Sequence, residues 1–452
     1  MRFLLFALLG FMLPCLDSDA VEKQITFAPH GHILTNTGVW SPDSRWIVYD
    51  VRSDPAGDRF DSTVIERVNV ASGEVQRLFE TKNGANCGVA TCCPRDDRVV
   101  FIQGPEHPDQ TWQYSAWHRR GVIVAASRPG IGTTLDARDL VPPFTAGALR
   151  GGTHVHTFSG DGQMVAFTYE DHLLQTAPAG TACERNQRNV GVSVAGQKVT
   201  VPPSHRRNHD GSHFTVLVTR TEDHPQPGSD EISRAFSDAW VGNDGYIRRD
   251  GTRQAKAIAL QGEVVTASGV TINEVFIVDL PYDLTQPGQY PLAGTPSRRP
   301  HPPRGTHQRR LTHTADRKYP GIQGVRHWLR SSPDGSQIAF LMKDDAGVTQ
   351  LWTVSPSGGE PSQVTTNSQD VASAFSWSPD GRTVYFVMNQ SVCATDLRSG
   401  NTVPLTEPRS DQPLRPEACV VSPDGQWVAF VREVTAQGVS RNQIFVAPTG
   451  CD

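Results

Sequence analysis

Among the 15 histidines of the chain, four recur at matching offsets from a short turn. His154 and His156 stand five and three residues before Ser159, His327 five before Ser332, and His205 three before Asn208, the turn equivalent in what reads as the fourth repeat. A His-x-His pair on a strand puts both imidazoles on one face, about 7 Å apart at Cα, near enough to converge on one ion. Neutral imidazoles from three consecutive repeats would bind a divalent metal, and the residue types do not distinguish Mn, Zn and Ca. At the five-back offset the other repeats carry Asn36, Gly88, Ser373 and Glu417, of which Glu417 is of ligand type. Arg150 and Arg330 fall beside the same rim, where a guanidinium could clamp a carboxylate through paired N–H donors. Each residue has an ordinary alternative, a satisfied core imidazole or a structural ion pair. His224, His301, His307 and His313 lie in Pro-rich or turn-like stretches and read as such.

Whether these side chains meet depends on the elements that carry them. Three C-terminal segments repeat one pattern: Ser332-Pro333-Asp334-Gly335 before Gln337-Ile338-Ala339-Phe340, Ser378-Pro379-Asp380-Gly381 before Thr383-Val384-Tyr385-Phe386, and Ser422-Pro423-Asp424-Gly425 before Trp427-Val428-Ala429-Phe430. Pro presets φ at the second turn position, Asp bonds the local backbone, and Gly takes the conformation that other residues avoid. A further strand and a short one follow, so the unit is four short strands, one blade. Degenerate copies begin at Ser41, Cys93 and Ser159, and Asp210-Gly211-Ser212-His213-Phe214 aligns with Asp334-Gly335-Ser336-Gln337-Ile338 as a seventh. The last blade lacks its outer strand before Asp452, whereas Lys23-Gln24-Ile25-Thr26 resembles Arg309-Arg310-Leu311-Thr312. The fold expected is all-β, a seven-bladed β-propeller closed by the N-terminal strand, which removes the open sheet edges of a linear array.

These repeats resemble those of TolB-type propellers. More closely, Gln24-Ile25-Thr26-Phe27-Ala28-Pro29, Arg119-Arg120-Gly121-Val122-Ile123-Val124, Gly147-Ala148-Leu149-Arg150-Gly151-Gly152, Pro225 to Ile232 and Arg326-His327-Trp328 resemble the bacterial YidR family over residues 23 to 450. That family carries no established reaction, so the resemblance implies the fold and little function. The histidine pattern is similar to oligogalacturonate lyases, propellers that hold a divalent ion by histidines at the channel mouth. That resemblance implies His154, His156 and His327 as ligands, with His205 a ligand or the base and Arg150 and Arg330 on the substrate carboxylate.

The start of the chain reads as a secretory signal over residues 1–20: Arg2 supplies charge, Phe3 to Leu13 is apolar, and Ser18-Asp19-Ala20 offers small residues for cleavage. The apolar run is too short to span a bilayer, and Cys15 after Pro14 is a poor lipoprotein site. Residues 21–452 form one propeller domain with a long insertion at about 221–254, including a helix over Asp230 to Trp240. Further excursions, Gly104 to His118 and Tyr169 to His172, follow second strands and so share one face, where they wall a pocket. The net charge of −5 and the scattered Lys and Arg argue against nucleic acid. Seven cysteines beyond residue 20, without paired C-x-x-C spacing, argue against thiolate zinc and leave any disulfide pairing open.

Two readings of function follow. One is an exported binding or scaffold propeller, periplasmic or secreted, with an acidic oligosaccharide or an envelope protein as partner. The other is a divalent-metal-dependent lyase on uronate oligosaccharides. The absence of a G-x-S-x-G elbow argues against a serine peptidase.

Overall fold

The computed structural model describes residues 22–35, 37–54, 57–325 and 328–450. The expected leader, residues 1–20, together with Asn36, Arg326 and His327, lies outside the described residues. Seven antiparallel four-stranded sheets form the blades, and the chain belongs to one ring. Their innermost strands are, in order, Gly31–Ile33, Cys87–Cys92, Gly151–Phe158, Ile232–Trp240, Arg330–Ser331, Ser376–Trp377 and Leu414–Val421.

The turns work as their chemistry demands. Ser332 Oγ donates to Asp334 Oδ1 at 2.6 Å and accepts from Gln337 N at 3.0 Å, while Gly335 takes φ +76°. The same Ser–Asp contact recurs at Ser41, Ser159, Ser378 and Ser422. In six of the seven blades the second strand delivers a buried aromatic ring, Tyr49, Phe101, Phe167, Phe340, Phe386 and Phe430, and in the fourth Leu260 is buried instead. Burying one such side chain contributes about 1.5–3 kcal/mol, so the repeat supplies a core contact per blade.

Ring closure follows the expected route. Lys23 and Gln24 pair antiparallel with Val446 and Phe445, and Ile25 N donates to Ile444 O at 2.9 Å. The fully buried Arg432 then meets Glu22 at 2.8 Å, tying the first described residue into the last blade.

The seventh copy proved to lie elsewhere. Phe214–Leu217 is the outermost strand of the third blade, paired with Asn189–Val194, and not the second strand of the fourth. The fourth blade is built from Ile232–Trp240, Ala257–Val265, Thr271–Asp279 and His307–Arg310. The stretch 221–254, expected as one insertion, therefore holds an innermost strand where a helix over 230–240 was anticipated. Pairing with Ala257–Val265 decides its conformation, since strand preference follows from neighbours more than from local sequence. The fourth-blade turn was hidden because a hairpin, Tyr246–Ile247 with Arg253–Gln254, intervenes between Asp244-Gly245 and the strand that follows.

Among the described residues no helix is long and apolar enough to cross a membrane. Of the cysteines, Cys87, Cys92, Cys93, Cys183, Cys393 and Cys419 are free thiols.

Candidate functional site

A β-bulge recurs at one step of the innermost strand in three successive blades. Val89, Val155 and Ser237 take φ of +59°, +52° and +54°, and the register slips beside each of them. Positive φ is costly for a β-branched residue, and a bulge sets two residues against one, so side-chain alternation shifts past it.

That shift separates the His-x-His pair. His154 lines the channel mouth, whereas His156 is fully buried beside the second blade. His156 Nε2 lies 3.0 Å from Thr153 Oγ1, and a Cβ on Gly121 would come within 2.8 Å of the same atom. Desolvation by burial, then Arg119, pushes the His156 imidazole down to about 3. Burial, followed by Arg119, Arg188 and His156, holds His154 well below the usual imidazole range, so both rings are neutral.

His205 sits on the connection between the third and fourth strands of blade three, not on an innermost strand. Its Nδ1 accepts from Arg207 N at 3.2 Å, and its ring lies 6.4 Å from Trp112. It borders a separate cluster in which His118 stacks on Trp112 at 3.7 Å. His118 Nδ1 must donate to Gln113 O at 2.7 Å, which leaves Nε2 to accept from His172 Nδ1 at 3.0 Å.

Arg150 is fully buried and committed: Nη2 meets Asp171 Oδ2 at 2.6 Å and Nη1 donates to Thr295 O. It is a structural ion pair, closed to a substrate carboxylate. Arg330 is buried at the opposite, turn end of the channel, beside Asp238, and lines a different cavity from His154. The expected quartet with its two arginines is thus divided among five places, with His327 outside the described residues.

What the fold assembles at the mouth is a cavity of about 510 Å³ reached by the first, second, third, fifth and seventh blades. The excursion Gly104 to His118 walls it through Tyr114, as the sequence suggested, and so does the segment after the second strand of blade one, which the sequence reading did not single out, whereas Tyr169 to His172 and the stretch 221–253 do not line it. Arg52, Phe60, Tyr114 and Arg119 form one continuous stack. The Arg52 guanidinium lies 4.9 Å from the Phe60 centroid, Phe60 and Tyr114 stack at 4.6 Å and 14°, and Arg119 covers Tyr114 at 5.0 Å. Arg52 is neutralised by buried Asp50 at 2.7 Å. Gly88 makes room for that pair, since a Cβ there would meet Asp50 Oδ2 at 2.5 Å.

Arg119 differs. Its Nε and Nη1 carry no hydrogen bond and no carboxylate lies within ion-pair distance of it among the described residues, because Glu170 is held by Arg188 at 2.7 Å. His154 Nδ1 is likewise unpartnered, and Trp328 and Glu417 complete the wall. Sequence reasoning marked the excursion Gly104 to His118, which holds Tyr114, and also Glu417, but missed Arg119, Phe60 and Arg52 as site residues. The signal available was Arg119-Arg120 directly after an aromatic-rich excursion.

The expected ligand set is not brought together by the residues described, His327 lying outside them. Among the described residues no three His, Cys, Asp or Glu side chains are grouped so as to hold a metal, and two guanidinium groups flank the mouth.

Residues 86–209 match a family model described as a protein of unknown function, DUF3748. The uncharacterized protein YidR of Escherichia coli K12 is 46% identical over 422 residues, covering 92% of this chain and 96% of its own. An oligogalacturonate lyase in complex with manganese superposes with a TM-score of 0.53 at 11% identity, covering 94% of this chain and 92% of the lyase. A second, from Vibrio parahaemolyticus, gives 0.54 at 10% identity, covering 96% and 94%. At such identities the likeness shows the shared propeller fold.

Proposed function

The chain belongs to the YidR family, and from that premise we propose that it is a binding propeller whose channel mouth takes a carboxylate-bearing ligand of the acidic oligosaccharide class. The observation that carries the reading is Arg119: a cation with unfilled N–H donors, next to a neutral imidazole and an aromatic stack, in a cavity of about 510 Å³. A guanidinium offers a carboxylate paired, charge-assisted bonds, and the indole of Trp328, which lines the same cavity outside the stack, suits a sugar ring. The dispersed histidines give no support to a metal-dependent lyase, so no chemical step is assigned. We read the compartment as outside the cytoplasm on the leader pattern of residues 1–20.

The test is calorimetric titration with trigalacturonate against a neutral galactose trisaccharide. Losing a hydrogen bond to a charged group costs about 1.5–3 kcal/mol, so Arg119→Ala should weaken trigalacturonate binding about 10- to 100-fold. Equal affinity for the neutral sugar, or an unchanged affinity in Arg119→Ala, would overturn the reading.

A further inference from the structure

The turn end of the channel holds a second cavity, of about 310 Å³, to which all seven blades contribute. It shares no lining residue with the mouth. Asp238 lines it at 2% exposure, and neither carboxyl oxygen has a hydrogen-bond partner among the described residues. Thr157 Oγ1, on the neighbouring blade, is buried and equally unpartnered. Such groups cost free energy unless something supplies the missing bonds, and native proteins leave few of them.

The surroundings restrict what that something is. Arg330 also lines the cavity and acts on Asp238 electrostatically, so its charge disfavours an added cation, and Asp238 itself disfavours an added anion. Trp240 and Trp377 line the wall with their indole N–H groups already donated, to Thr157 O and Arg330 O at 3.0 Å each. They have ring faces left to offer and no further donor. Two empty acceptors, a free hydroxyl and fixed aromatic rings call for a neutral molecule rich in O–H donors. The volume is near the lower end of small-molecule sites, about 300–1,000 Å³.

We propose that the turn end of the channel is a second binding site, for a neutral, hydroxyl-rich ligand of monosaccharide size, with adjacent hydroxyls donating to the two oxygens of Asp238. The site is independent of the acidic ligand at the mouth.

Saturation-transfer NMR on the full chain tests this with methyl α-glucoside and methyl α-galactoside, alongside methylammonium and acetate. At least one glycoside should receive saturation, with the signal lost in Asp238→Ala and kept in Arg119→Ala, which disables only the mouth. A pH series on the wild-type protein gives a readout that needs no variant. Burial raises the Asp238 carboxyl to about 7, while Arg330 at about 10 and Cys92 at about 12, the other ionisable groups lining the cavity, keep one charge state below pH 8. Hydroxyl donors favour the ionised carboxylate, so glycoside affinity should fall about tenfold for each pH unit below about 7, once Asp238 is mostly protonated. No transfer to either glycoside, transfer that survives Asp238→Ala, affinity independent of pH, or a preference for methylammonium or acetate would each overturn the proposal.

Discussion

Replacing Asp238 by Asn should make the protein's stability respond differently to pH, with a sign fixed by burial. Desolvation raises the carboxyl from its ordinary 3.8 to about 7, with Arg330 pulling the other way. An acid raised on folding favours the folded state fully below its unfolded value, and that contribution is lost as pH climbs from about 4 to about 7. At about 1.4 kcal/mol per pH unit, the whole displacement amounts to roughly 4 kcal/mol, of which about 3 kcal/mol falls between pH 5 and pH 8. Asn has nearly the same shape and does not titrate. The attraction to Arg330, which the wild type gains as Asp238 ionises, is already contained in the value of about 7 and needs no separate correction. Urea denaturation of both proteins at pH 5 and pH 8 should therefore show the variant gaining on the wild type by about 3 kcal/mol as pH rises. A gap that stays constant or narrows would refute the assignment of an unfilled, buried carboxyl at the turn end.

Glu22→Ala should destabilise by about 3–5 kcal/mol, because it leaves the fully buried Arg432 without its carboxylate at the closing joint, and denaturant melts will read it. Gly88→Ala should cost about 1–3 kcal/mol by overpacking against Asp50 and Phe60, and should weaken trigalacturonate binding through the displaced Arg52–Phe60 stack. Metal analysis of purified protein should find no stoichiometric divalent ion; a one-to-one ion lost in His154→Ala would restore the lyase reading. N-terminal sequencing of the protein purified from its native host should begin near Val21, and an intact Met1 would overturn the leader reading.

The blades were legible in sequence because turn chemistry and a buried aromatic recur in fixed register. Ser332, Asp334 and Gly335 each have one physical job, and Phe340 lies the same few residues beyond the turn as Phe386 and Phe430 do beyond theirs. The fourth blade escaped because the Tyr246–Gln254 hairpin pushes its second strand away from Asp244-Gly245. Asp210-Gly211 then supplied a false copy ahead of a genuine but outermost strand. His205 was drawn into the candidate site by that misplaced turn, and its actual neighbours are Trp112 and Arg207.

The bulges explain why correct counting still misplaced chemistry. His156 stands three residues before its turn, as counted, but Val155 at φ +52° breaks the alternation that would have set it beside His154. Asp238 occupies the same offset in the fourth blade, after Ser237 at φ +54°, and it too is turned from the mouth. There the residue type makes the difference. An imidazole in that position is neutral and bonds Thr153 through Nε2, leaving only Nδ1 without a partner among the described residues, whereas the carboxyl lacks a donor on both oxygens and lowers stability at neutral pH. A buried acid that a fold of this size carries at such a cost, where Asn or Leu would relieve it, is best understood as retained for a ligand that supplies the missing donors. The same reasoning applies to Arg119 at the mouth. The two ends of one channel are thus marked by opposite unfilled charges, and the ring of blades between them sets the distance at which two different ligands would be held.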